Sequence, residues 1–519
     1  MLILDGCDGL ENIVALGRLP PPIKYFSLDG YGPASQRTPT VELPPIHFRL
    51  STAEDKNDIS TSKISLEGCT KLESLFLRGI PNLVEPDLSG TAIKILDFRT
   101  MVVQVPRLKR LYLIGCKHLR AIICFQSRFC ALIPELELMC IDTRAATLSS
   151  RPFIDNSRSF GLQVQMVILD ARIAHALKDL LDHSKEVFFN IWITMSPVYD
   201  RFVQFEAINK YKISPNSQAI LQHLTPAGWY TDVLSMVGDP PMQAFPQPPA
   251  TRLDIHIEIA EGSCHVESGL KGALGYLMGC FAESLYLHDV LIHAIIPKGE
   301  YKWLHLRWCC VERCPKLDTV FPSGSCEFPK LETLWASELL MARWIWSKGS
   351  RHGWYTDNTN SFKNLKHLHL HSCPRLHFVL PVWVSSFPSL ETLHLIHCGD
   401  LVHVFELDGW HPEEIISHGV LFPKLRTIHF HDLPKLQHIC DVKMVAPALK
   451  TIKIRGCWGL QQLPSVQAPG PGVKKPTIEI EKEVWDALEW DADHRPDHFE
   501  APVHSRYYKK KLPKVSFLR

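Results

Sequence analysis

The residues best suited to chemistry in this chain are histidines. His367, His369 and His371 alternate with Leu368 and Leu370, and His394, His429 and His431 follow downstream. Grouped imidazoles can hold zinc, move protons near neutral pH or line a binding surface. The first two uses have companions that are missing here. The chain contains no helical His-x3-His pair, no Cys-x2-Cys pair, no His-Glu-x-x-His and no Gly-x-Ser-x-Gly. It has no Gly-Lys dipeptide, so a phosphate-binding loop of the usual form is excluded. Carboxylate pairs such as Glu413-Glu414 stand alone and read as solvated. No enzyme activity, metal site or cofactor is expected. The histidines then belong either to a plain solvated face or to one that binds a partner.

A repeat positions them. The spacing Leu365-x-x-Leu368-x-Leu370-x-x-Cys373-x-x-Leu376 returns as Leu390, Leu393, Leu395, Cys398, Leu401 and as Leu425, Ile428, Phe430, Leu433, Leu436. Leu449, Ile452, Ile454, Cys457 and Leu460 form the last clear copy. Upstream copies start at Leu306 and Leu331, and earlier ones at Leu72 and Leu108. First leucines from Leu306 to Leu449 are 25, 34, 25, 35 and 24 residues apart. That period is typical of the leucine-rich repeat. Many copies share a lead-in, as in Phe328-Pro329-Lys330-Leu331, Phe387-Pro388-Ser389-Leu390 and Phe422-Pro423-Lys424-Leu425. The fold class is therefore α/β: a solenoid with a curved parallel sheet on its concave face and loops and short helices outside.

Counting the first leucine as place one, the strand period of two sends places four and six inward and places three, five and seven to the open face. Place five reads Cys310, Trp335, His369, His394, His429, Lys453, and place seven reads Glu312, Ser337, His371, Ile396, His431, Arg455. Neighbouring strands lie about 4.8 Å apart, so His369, His394 and His429 should form a ladder exposed to solvent. The concave face is the usual contact surface of such arrays. The expected partner-binding residues are Trp308, Trp335, His367, His369, His371, His394, His429, His431, Lys453 and Arg455. Ordinary imidazoles there would gain positive charge on mild acidification and favour an acidic partner.

The organisation expected from these signals is repeats over 1–140, degenerate repeats over 141–300 with a helix near 171–183, regular repeats over 301–465, and a cap with a basic tail over 466–519. Proline-rich stretches at 20–45 and 240–250 read as loops. A net charge of +1 gives no reason to expect nucleic-acid binding. No membrane span and no glycosylation sequon occur, and the start shows no signal peptide, so an intracellular, cytoplasmic place with reduced thiols is expected. Cys7, Cys69, Cys116, Cys314, Cys373, Cys398 and Cys457 share place nine, where a small residue tucks under the turn.

Phe422–Ile439, Leu365–Leu376, Val311–Pro322 and Leu449–Pro464 resemble the repeats of plant nucleotide-binding leucine-rich-repeat disease resistance proteins, the cereal type above all. The ending Ile478–Asp491 with His504–Arg519 resembles theirs too. That resemblance implies a recognition scaffold for a pathogen effector or a guarded host protein, or one that docks on a nucleotide-binding receptor module and restrains it. Neither the nucleotide-binding nor the N-terminal signalling domain of that family is expected in these residues, since Leu2, Leu4, Cys7 and Leu10 already fit a repeat. The alternatives are a substrate adaptor of a ubiquitin ligase, which would need an F-box-like segment, or a receptor fragment without function.

Overall fold

The computed structural model describes residues 1–7, 10, 12–14, 23–30, 61–123, 125–127, 130–131, 135–144, 161–181, 187–194, 255–261, 263–295, 303–321, 327–346, 361–382, 387–407, 419–466, 474–490 and 495–504. They belong to two compact units, Met1–Trp229 with Asp254–Leu274, and Tyr230–Leu253 with Gly275–Arg519.

In the first unit the main sheet is parallel and stacks β1 (Asn12–Val14), β2 (Lys63–Ser65), β3 (Glu85–Asp87), β4 (Arg110–Ile114), β5 (Leu138–Asp142), β6 (Leu162–Ile168), β7 (Val187–Ile193) and β8 (Ile255–Ile259) in sequence order. The copy at Leu108 supplies β4. The copies at Leu2 and Leu72 do not join this sheet. They fall in a second parallel sheet of Leu2–Ile3, Tyr25–Asp29, Ser74–Arg78 and Val102–Val103. The cause is visible in the chain: Ile64 and Leu66 form one apolar pair and Leu75 and Leu77 the next, so a turn carries more than one buried stretch. The motif ensures burial without choosing the side of the coil.

The described strands of the degenerate middle, β6 to β8, still pair in sequence order within the main sheet. Between β6 and β7 lie a 3-10 turn, Ala171–Ala174, and α1 (His175–Leu181), with Ile173, Ala174 and Leu177 buried. Three Asp-x-Arg pairs bind themselves in the same bidentate way: Asp97 with Arg99, Asp142 with Arg144, and Asp170 with Arg172. In each the aspartate also accepts the arginine's own backbone N–H. The fork geometry of guanidinium suits such a clasp.

The second unit holds the regular copies. Its main sheet runs through β9 (Ser284–His288), β10 (Trp308–Glu312), β11 (Thr333–Ser337), β12 (His367–His371), β13 (Thr392–Ile396), β14 (Thr427–His431), β15 (Thr451–Arg455), β16 (Thr477–Ile480) and β17 (Val503–His504), all parallel. Insertions of about ten residues leave the register untouched: Leu368, Leu393, Ile428 and Ile452 align in one inward row, and Leu370, Leu395, Phe430 and Ile454 in the next. All are at most 1% exposed, so each turn completes its neighbour's core.

The lead-in phenylalanines have a physical purpose. Phe328, Phe362, Phe387 and Phe422 are buried, and Phe328 stacks on Phe362 at 5.4 Å and Phe387 on Phe422 at 5.8 Å. With Phe321 and Phe405 they form an aromatic spine under the strand starts. Aromatic pairs at such separations add to plain burial. Between the main strands of the second unit the described residues include short parallel strands, among them Trp344–Trp346, Leu380–Val382, His403–Leu407 and His438–Cys440, and the expected short helices occur at His175–Leu181, Val266–Leu270 and Ala273–Cys280.

Place nine behaves as anticipated in the later copies, whereas Cys7 is exposed. The buried thiols of Cys314, Cys373, Cys398 and Cys457 donate to the carbonyls of Glu312, His371, Ile396 and Arg455, two residues back, at 3.3 to 3.6 Å. The cysteines described are free thiols. At the far end α2 (Lys482–Ala487) follows β16, and Trp485, Trp490 and Phe499 cluster with ring centroids 5.0 to 6.3 Å apart.

Candidate binding face

The open face of the second unit brings the expected residues together in register. Place five aligns Tyr286, Cys310, Trp335, His369, His394, His429, Lys453 and Glu479 across consecutive strands. His369 and His394 lie 4.5 Å apart between ring centroids and meet edge to face; His394 and His429 lie 5.7 Å apart in the same manner. The ladder exists as spacing alone foretold.

Its depth differs from expectation. His369, His371 and His431 are 9%, 8% and 4% exposed, and His367, His394 and His429 are half-buried. Trp335 stacks on His369 at 5.6 Å, so large rings shield one another along the row. Trp308 and Trp335 do not project as anchors. They pack with Cys310 and Tyr286 in a buried cluster, and the Trp335 indole N–H donates to Glu312 Oε1 at 2.8 Å. Tyr286 Oη and Arg313 also donate to Glu312 Oε2, at 3.0 and 3.1 Å, which satisfies a nearly buried carboxylate. Glu312 and Tyr286 thus brace the face, although neither stood out in the sequence.

Burial sets the charge of the ladder. It pushes the His371, His394 and His429 imidazoles down to about 4, with neighbouring imidazoles adding to the effect, and Lys453 and Arg455 adding to it at His429. His369 is driven well below its ordinary value by burial and then by His394 and His367, and burial lowers His367 as well. The expected gain of charge on mild acidification is therefore corrected for His371, His394 and His429, which stay neutral until the pH approaches 4, because removing an imidazolium from water costs more than the isolated fold can return.

Thr392 links the ladder to its neighbours, with its hydroxyl 2.9 Å from His367 Nδ1 and 3.3 Å from His369 Nε2. His397 was missed by the spacing argument because it sits at place eight. That place is left-handed in six consecutive turns, with φ between 47° and 58° at Asp289, Arg313, Glu338, Ser372, His397 and Asp432. Side chains other than glycine resist this region. Here each amide donates to the place-seven carbonyl of the next strand, as Ser372 does to Ile396 at 2.8 Å and His397 to His431 at 2.9 Å. The turn leaves the His397 ring 5.6 Å from His371 and 5.1 Å from His431, with Nδ1 3.1 Å from Asp432 Oδ2. Arg455, at the basic end, hydrogen-bonds Glu479. Among the described residues no three His, Cys, Asp or Glu side chains are placed to hold a metal ion, and no helix is long and apolar enough to cross a membrane.

A coil whose successive turns each set a short strand in register in one parallel sheet is the build of a leucine-rich-repeat protein, and this fold belongs to that class. Comparison with known proteins narrows it. Residues 342–468 match the family of plant disease resistance proteins, RPS2-like, leucine-rich repeats. An Arabidopsis thaliana protein assigned to disease resistance, At4g19050, is 32% identical over 143 residues, which make up 26% of this chain and 10% of that protein. Residues 342–468 thus carry leucine-rich repeats similar to those of plant disease resistance proteins, and the match spans only about a tenth of that relative's length. Among solved structures, the plant peptide hormone receptor RGFR1 in complex with RGF2 is 11% identical with a TM-score of 0.17, over 81% of this chain and 79% of that one.

Proposed function

We propose that this chain is a non-catalytic recognition scaffold working inside the cell, and that the open face from Trp335 to Arg455 contacts a protein. The partner is a pathogen effector or a guarded host protein, or the nucleotide-binding module of a receptor held inactive by the same contact. One observation supports this above the rest. Places three, five and seven of β11 through β15 form a continuous surface over five strands in register, and it carries no Asp or Glu at all. A solvated face without a role would be expected to intersperse both signs of charge. Repeat arrays present such sheets to their ligands.

Proximity labelling in plant cells tests the reading. Thr427 and Lys453 are half-buried neighbours on this face. The double variant Thr427→Glu with Lys453→Glu introduces two carboxylates there and leaves every inward leucine in place. Labelling of the proteins that surround the unaltered chain is expected to fall at least tenfold, while the thermal midpoint stays within a few degrees. An unchanged set of labelled proteins would contradict this surface as the contact.

A further inference from the structure

We infer that the partner of this face presents an acidic segment, and that seating its carboxylates there loads protons onto His394 and His429. The inference rests on the open face being the contact surface. Its first support is charge complementarity: the face joins His367, His369, His371, His394, His429 and His431 to Lys453 with no carboxylate among them, and Arg455 at its margin is paired with Glu479. The bounding strands reverse the sign, with Glu312 on β10 and Glu479 on β16, and so mark the edges of the site.

The second support is an unspent hydrogen-bonding group. His394 Nε2 is shielded from solvent and has no hydrogen-bond partner among the described residues. A neutral imidazole has one donor and one acceptor nitrogen, whereas its protonated form has two donors. Once the ring turns to bring this nitrogen to the open face, an arriving carboxylate meets a group able to become a second donor, and the favourable pair offsets the cost of burial that keeps the ring neutral in the free protein.

The groups around these rings allow this. His394 faces His367 and His369 from β12 and His429 from β14. His429 faces His431 on its own strand and Lys453 and Arg455 on β15, with Glu479 beyond them. Glu391, Glu332 and Lys366 lie near His367 at the strand starts, and Asp432 is engaged by His397. Among the described residues no carboxylate acts on His394, which leaves room for an anion brought by the partner. Each proton taken up on binding tightens the complex up to tenfold per pH unit as the pH falls from the bound value of the imidazole toward its free value.

A labelled peptide of ten aspartates is the probe, because its carboxylates remain ionised above pH 5. Fluorescence titration against the whole chain is expected to show at least tenfold tighter binding at pH 5.5 than at pH 7.5. In His394→Gln with His429→Gln the change should shrink below threefold. Lys453→Gln should weaken binding at both pH values and keep the slope. Calorimetry in two buffers of different ionisation heat should report proton uptake with the unaltered chain alone. Absent binding at both pH values, a flat response, or an undiminished slope in the double variant would each overturn the inference. A face that serves a neutral partner would fail here and still lose its labelled proteins in the Thr427→Glu, Lys453→Glu variant, which separates this failure from that of the functional reading.

Discussion

Phe430→Ala is expected to lower the stability of the second unit by about 3–5 kcal/mol, the usual cost of removing a large aromatic side chain from a packed core. Phe430 is fully buried at place six of β14, between Leu395 on β13 and Ile454 on β15. Its loss opens a void on both sides at once, because each turn rests only on the turns beside it. The damage should be local. Amides of β13, β14 and β15 are expected to exchange much faster with solvent, and those of β9 and β10 far less. Thr427→Ala, three residues earlier on the open side, should change stability by less than about 1 kcal/mol. Urea unfolding and hydrogen exchange decide the matter, and equal effects of the two substitutions would contradict the inward and outward assignment.

Acidification should weaken the free protein between pH 6.5 and 4. The imidazoles of His371, His394 and His429 sit at about 4 in the fold, against an ordinary 6.5. The unfolded chain accepts protons throughout this window that the folded chain refuses. Stability is therefore full above the ordinary value and is lost as the pH drops toward the folded one. A gap of this size corresponds to roughly 3 kcal/mol for each group at most. Three such groups can remove a large share of the 5–15 kcal/mol that holds a typical domain together. Carboxylates act lower: the Asp432 carboxyl is held below its ordinary value by the hydrogen bond from His397, against burial. The slope between pH 6.5 and 5 thus belongs to the histidines. His394→Gln with His429→Gln should make it shallower in urea titrations, with His371 still contributing, and an unfolding midpoint that stays constant from pH 7 to 5 would refute the buried, neutral ladder.

Much of this was legible in the residues. Leucines at places four and six lie inward, place five brings His369, His394 and His429 into contact, and the ninth-place thiols of the regular copies sit under their turns. What stayed hidden has identifiable physical causes. Alternation along a strand tells which side a residue faces, but not how far large neighbours cover it, so the shielding of His369 by Trp335 and His394 had no sequence signal. The left-handed place eight that puts His397 against His371 and His431 is filled by Asp, Arg, Glu, Ser and His, and none of these betrays it as glycine would. The copy at Leu72 entered a second sheet because an apolar repeat dictates burial and not the side of the coil. The lead-in phenylalanine was plain as a marker, while its place in an aromatic spine needed the third dimension.

Histidine-selective labelling and nuclear magnetic resonance of the whole chain probe the ring ladder most directly. Cross-peaks are expected between the rings of His369 and His394 and between those of His394 and His429, at centroid separations of 4.5 and 5.7 Å, with none directly from His369 to His429. The same spectra should show His394 and His429 titrating near 4. Missing cross-peaks, or titration of both rings near 6.5, would contradict a stacked and shielded ladder.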